Sequence, residues 1–106
     1  MRQGISEKHF SDESNRPEGG HTWGTGFAIA WQRGPLGRGG NREQPNGAFV
    51  EDVLAAVIGR IEFYEKSEFA CTENKVALTN LRAAAEALDS RTKARESRAV
   101  EGTYSK

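Results

Sequence analysis

Trp23, Thr25, Phe27, Ile29 and Trp31 recur at every second position, with Gly24, Gly26, Ala28 and Ala30 between them. Side chains of an extended chain point alternately to opposite faces. The pattern therefore predicts a strand over residues 21–32 with one bulky face and one nearly flat face. A flat face admits another backbone or a planar ligand at close range. Residues 4–10 or a second subunit are the candidates for its pairing partner, and the sequence does not choose between them.

After Gly47 the period changes. Val50, Val53, Leu54, Val57, Ile58, Ile61 and Tyr64 form one stripe at helical spacing, predicting a helix over about residues 48–65 with Asn46 as a candidate cap. A break at residues 67–71 precedes Thr72, a candidate N-cap. A second helix follows over about residues 73–98, its stripe made of Asn74, Leu78, Leu81, Ala85, Leu88 and Thr92. Two helices joined by a short turn bury one stripe each against the other. Phe63 lies off the first stripe, and Val76, Ala83, Ala87 and Ala94 line the second helix roughly opposite its leucines. Alanines there also suit a solvated helix face. Large exposed apolar patches are uncommon on small monomers, however, so a subunit contact is the expectation.

The fold class predicted is α+β: a small N-terminal antiparallel β segment, then a long antiparallel two-helix hairpin, oligomeric. The polar composition of residues 1–20 favours a flexible or weakly ordered lead. Residues 21–106 form a single domain, with strand and Gly/Arg loop over 21–47 and helical hairpin and tail over 48–106. Residues 33–47 read as a loop, with five glycines, two prolines and three arginines.

Composition narrows the partners. The chain has 106 residues, and its fifteen Lys and Arg balance fifteen Asp and Glu. Duplex nucleic acid is not expected as a partner, because such binding rests on many phosphate contacts. No apolar run reaches the ~20 residues of a membrane helix, so no membrane partner is expected either. The polar first ten residues lack a secretory core. Cys71 is the single cysteine, which suits a reducing, cytoplasmic setting. An apolar share of 36% is low for a self-sufficient fold of this size.

Catalytic groups are sparse. His9 and His21 are the two histidines, both far in sequence from Cys71, which argues against a zinc tetrad or a Cys–His dyad. Glu62, Glu65, Glu68 and Glu73 read as solvated helix charges. The glycines at 34, 37, 39 and 40 are not followed by the Lys-Ser/Thr helix start of a phosphate-binding loop. No enzyme activity, cofactor or metal is expected. Binding fits better. The segment from Gly37 to Arg42 offers backbone N–H groups and two guanidiniums, a combination that can cradle phosphate without net positive charge; it also reads as a plain surface loop. Arg91, Lys93, Arg95 and Arg98 gather near the end of the second helix, where cations complement the helix dipole. Tyr64 and Phe69 flank the turn and can stack on a base, although Tyr64 also fits the core stripe.

The stretches TGFAIAWQRGPLGRGGNREQPNGAFVEDVLAAVIGRIEFYE and ENKVALTNLRAAAEALDSRTKARESRAVEGTYSK resemble the phage Thoeris anti-defence proteins of the first type. The hairpin is also similar to that of phage anti-CBASS sponge proteins, which lack the preceding strand and Gly/Arg loop. The resemblance covers about residues 22–106. It rests on the Asn-Gly-Ala-Phe-Val-Glu helix start at Asn46 and the Arg-Ala-Val-Glu-Gly-Thr tail at Arg98, which are specific in combination.

The resemblance implies a protein that binds and sequesters cyclic ADP-ribose isomers made by bacterial TIR-domain enzymes, in the cytoplasm of an infected host, without degrading them. It implies a homo-oligomer, up to a hexamer, with a second pocket for cyclic oligonucleotides. The glycocyclic ADP-ribose pocket would use Tyr64, Asn74 and Arg91; the cyclic trinucleotide pocket would use Gly37 and Arg38. Asn74 and Arg91 stand about 25 Å apart along one helix at roughly 1.5 Å per residue. One chain does not easily bring them to one ligand, so the pocket would need a second subunit. A hairpin that docks another protein and binds no ligand is the alternative.

Overall fold

The computed structural model describes residues 4–106. It holds a three-stranded antiparallel sheet followed by two α-helices, an α+β chain. The chain divides into two compact units: the described residues up to Phe49 together with Val100–Lys106, and Val50–Ala99.

In the first unit, β1 (Ser6–Ser11), β2 (Pro17–Gly24) and β3 (Phe27–Trp31) lie in the order β1-β2-β3. The polar segment in which composition favoured flexibility thus carries β1 and the start of β2, and β1 is the intramolecular partner strand. Its Glu7, Lys8 and His9 put charge and polarity on a sheet edge, a composition that discourages further pairing there. The β1–β2 turn is built by Asp12, whose carboxylate accepts from the backbone N–H of Ser14 (2.9 Å) and Arg16 (3.0 Å) and from Arg16 Nε (2.8 Å). The Arg16 backbone N–H is the chief cause of an Asp12 pKa below the ordinary value; the Arg16 guanidinium and the Ser14 N–H act in the same direction.

The single strand expected over residues 21–32 is instead two strands around Thr25 and Gly26, with Gly26 at φ +88°. A positive φ at the second position of a two-residue turn favours glycine. Pairing of Gly24 with Phe27 and of Trp23 with Ala28 reverses the facing. Phe27, Ile29 and Trp31 share a face with Thr22 and Gly20, whereas Trp23 lies on the other with His21, Ala28 and Ala30. Trp31 Nε1 donates to Thr22 Oγ1 at 2.8 Å across that first face.

Ala48 is not helical. It forms a parallel bridge to Trp31, with Ala48 N–H donating to Ala30 O (2.7 Å) and Gln32 N–H to Ala48 O (2.9 Å). Asn46 does not cap a helix either. Its side chain accepts from Arg33 N–H at 2.8 Å and donates to Arg33 O at 3.0 Å, closing the loop at its base.

The second unit is α1 (Val50–Glu65) against α2 (Thr72–Ser97). Leu78 is the one buried apolar side chain among the described residues, at 6% exposure. Val53, Leu54, Ile58 and Ile61 are half-buried, as are Asn74, Leu81, Ala85, Leu88 and Thr92, so the α2 stripe is where periodicity put it. Val50, Val57 and Tyr64 remain exposed. The N-cap of α2 is Cys71 rather than Thr72: its backbone is extended and its Sγ accepts the Asn74 N–H at 3.4 Å. A thiol is a weak acceptor, and the turn is reinforced by Glu65, whose carboxylate accepts from Cys71 N–H (2.9 Å) and pairs with Lys75 Nζ (2.9 Å). Lys75 above all, then the Cys71 N–H, holds the Glu65 pKa below its ordinary value. Arg82 pairs with Glu62 across the two helices at 2.9 Å.

Among the described residues, no helix is long and apolar enough to cross a membrane.

Candidate functional site

Two clusters and one depression carry the chemistry. In the first unit the Gly/Arg loop closes on itself and on the chain's own tail. Glu43 N–H donates to Leu36 O (2.7 Å), and a short 3-10 turn covers Gly39–Asn41. Gly37, at φ +88°, has no room for a side chain, since a Cβ would stand 2.7 Å from Asn41 O. Its N–H donates to Gly102 O at 2.8 Å. Gly102 is equally constrained, at φ +80° with a Cβ position 2.4 Å from Gly37 O. The two glycines allow loop and tail backbones to touch.

The two guanidiniums of residues 37–42 converge on the same tail residue. Arg42 grips the Glu101 carboxylate with two nitrogens, at 2.8 and 3.1 Å, and also donates to Gly37 O at 3.3 Å. Arg38 Nη1 donates to the Glu101 backbone carbonyl at 2.8 Å and stands 4.0 Å from its carboxylate. A forked guanidinium suits carboxylate and phosphate alike. Further along the tail, Arg16 lies over the Tyr104 ring at 4.1 Å. Gly37 and Arg38 are therefore brought together, and Arg42 and Glu101 join them. Arg42 was visible as the second guanidinium of residues 37–42. The part of Glu101 was not, because nothing local marks a contact across that sequence separation.

In the second unit Tyr64 and Asn74 lie on either side of the helix–helix turn. Tyr64 is partly exposed, and its hydroxyl accepts from Arg60 Nε at 3.2 Å. The Arg60 guanidinium sits 5.0 Å from the Tyr64 ring and 5.1 Å from that of Phe63, so one cation spans two aromatic faces. Sequence reasoning did not single out Arg60, although its spacing of four from Tyr64 on a helix was a readable signal. Asn74 is half-buried and donates through Nδ2 to Phe69 O at 3.1 Å, helping to set the turn. Arg91 is exposed on an unbroken α2, about 25 Å beyond Asn74 at roughly 1.5 Å per residue. Tyr64 and Asn74 lie at one end of the hairpin; Arg91 is not with them. Among its neighbours Lys93 pairs with Asp89 at 2.9 Å, and that carboxylate raises its pKa.

An open depression of about 430 Å³ lies on the first unit, lined in part by Phe10, His21, Trp31, Arg33 and Asn46. None of the five sequence-predicted residues lines it. Among the described residues no group of three or more His, Cys, Asp or Glu is placed to hold a metal ion.

No family model matches the chain. It is similar to Thoeris anti-defense 1 of Bacillus phage SBSphiJ7, with 42% identity over 78 residues, 74% of this chain and 52% of that protein. The chain thus spans about half the length of this curated relative. Identity at that level over three quarters of the chain places the matched region in the Thoeris anti-defence 1 family.

Proposed function

We propose that this protein is a phage anti-defence protein that binds and sequesters cyclic nucleotide immune signals without chemistry. The signals are glycocyclic ADP-ribose made by TIR-domain enzymes and, in a separate pocket, cyclic oligonucleotides of the CBASS type. It works in the cytoplasm of the infected bacterium as an assembly of at least two copies. The observation that carries the reading is the 42% identity to Thoeris anti-defense 1. Two features of the chain support it. Gly37, Arg38 and Arg42 form a compact set of donors on one loop, suited to phosphate. Tyr64, backed by Arg60, offers an aromatic face for a base.

Arg91 supplies charge to the ADP-ribose pocket, and the distance along α2 requires a second chain to complete it. Binding holds the signal below the level its effector needs, mole for mole. The test is to incubate the protein with glycocyclic ADP-ribose, denature the complex and analyse what is released. Intact ligand in stoichiometric amount is expected; linearised or hydrolysed product overturns sequestration. Thermal melts separate this reading from a hairpin that only docks a protein, because a ligand of the native state raises stability by mass action.

A further inference from the structure

We propose that Arg42 belongs to the loop's phosphate-binding site with Arg38 and the Gly37 N–H, and that Glu101 is the site's resident anion, displaced when a phosphodiester binds. The inference rests on the reading of this loop as a phosphate site given above.

The three donor groups on the loop that face the tail are all satisfied by two consecutive tail residues. The Glu101 carboxylate takes the Arg42 fork, the Glu101 carbonyl takes Arg38 Nη1, and the Gly102 carbonyl takes the Gly37 N–H. A phosphodiester presents two anionic oxygens in much the geometry of a carboxylate, so it can replace Glu101 on the same fork. The contact is open to a competing anion. Glu101 and both arginines retain solvent access, with side-chain exposures of 23% and 42%. The contact lies beyond the last turn of α2 at Ser97, with Gly102 at positive φ, so breaking it leaves the helix intact. A displaceable internal anion also discriminates between ligands. Weak anions would not dislodge it, whereas a ligand with several phosphates and a base to stack gains enough elsewhere to do so.

The probe is cyclic tri-adenosine monophosphate, titrated against the full chain by calorimetry, with far-UV circular dichroism confirming that each variant is folded. Glu101→Gln keeps the shape and removes the charge, so it should tighten binding about two- to fivefold, the scale of a solvent-accessible ion pair. Arg42→Ala should weaken binding at least about tenfold, the low end for a charge-assisted hydrogen bond. In the wild-type protein, saturating probe should turn the NMR relaxation of Gly102 from ordered to mobile. Equal or weaker binding by Glu101→Gln while the wild type binds overturns the inference: Glu101 then orders the loop, and the phosphate-site reading survives. Tighter binding by Arg42→Ala also overturns it, since that variant would act only by freeing the tail. No binding by wild type or either variant removes the phosphate site itself, and both readings of this loop fall together.

Discussion

Among the described residues the hairpin unit buries one apolar side chain, Leu78 at 6% exposure, so its stability must depend on what covers the remainder. Phe63 is 58% exposed and Phe69 68%. For rings of roughly 200 Å² each, about 250 Å² of aromatic surface faces solvent per chain. At about 25 cal/mol per Å², full cover by a second copy is worth up to about 6 kcal/mol per chain. Phe63 alone accounts for about 115 Å², or about 3 kcal/mol, which corresponds to about a hundredfold in an association constant. If native chains associate, the melting temperature must depend on concentration. A chain of this length carries roughly 75 kcal/mol of unfolding enthalpy, about 150 for a dimer, so tenfold dilution should lower Tm by about 3 °C. The assay is circular dichroism at 222 nm over a hundredfold dilution, with sedimentation at each end of the range. Phe63→Ser should shift dissociation to higher concentration by about a hundredfold or more. A wild-type Tm that does not move over that range, with sedimentation as a monomer, refutes the reasoning.

Leu78→Ala removes the packed centre of the helix pair and should cost about 2–3 kcal/mol, the low end for such truncations because the flanking residues can relax into solvent-accessible space; urea midpoints measure it. Glu65 has a lowered pKa, so its contribution is complete above the ordinary value of 4.5 and is lost as pH falls below it toward the folded-state value. Glu65→Gln should therefore melt below wild type at pH 7, and the gap should narrow in acid; a gap independent of pH would exclude the carboxylate as its cause. Arg91→Ala should abolish binding of glycocyclic ADP-ribose by calorimetry while Arg38→Ala leaves it within about threefold; equal losses would mean one pocket instead of two.

Helical periodicity was the legible part of the fold. The α2 stripe is half-buried or buried along its whole length, because on an isolated helix pair the spacing of apolar residues alone decides the facing side. The β region was legible in type but not in topology. Gly24 and Gly26 served as the small members of an alternation, and this concealed the turn signal they also carry. A two-residue turn keeps the extended period on both sides yet reverses the facing, which is how Trp23 parted from Phe27, Ile29 and Trp31. At the helix starts the competing interactions were tertiary. Ala48 has good helix propensity, but Ala30 of β3 and the following Gln32 supply two backbone hydrogen bonds, and Asn46 is spent on Arg33. On the loop, composition pointed to Gly37, Arg38 and Arg42, yet an ion pair to Glu101 leaves no local trace in sequence.

The separation of Asn74 and Arg91 on one helix makes the proposed ADP-ribose pocket a matter of thermodynamic linkage. A continuous helix does not fold back, so a small ligand that touches both ends must touch two chains. Such a ligand binds the assembly and not the isolated chain, and linkage then requires it to strengthen association by the same factor by which association strengthens its binding. At a protein concentration where half the chains are dissociated, saturating glycocyclic ADP-ribose should drive nearly all of them into the assembled form by sedimentation velocity. Ligand binding should weaken in step as the protein is diluted through that concentration. Arg91→Ala should abolish the ligand's effect on sedimentation and leave ligand-free association unchanged, whereas Phe63→Ser should weaken association yet still allow ligand to restore it at higher protein concentration. A dissociated chain that binds the ligand with undiminished affinity would show that Asn74 and Arg91 do not share it.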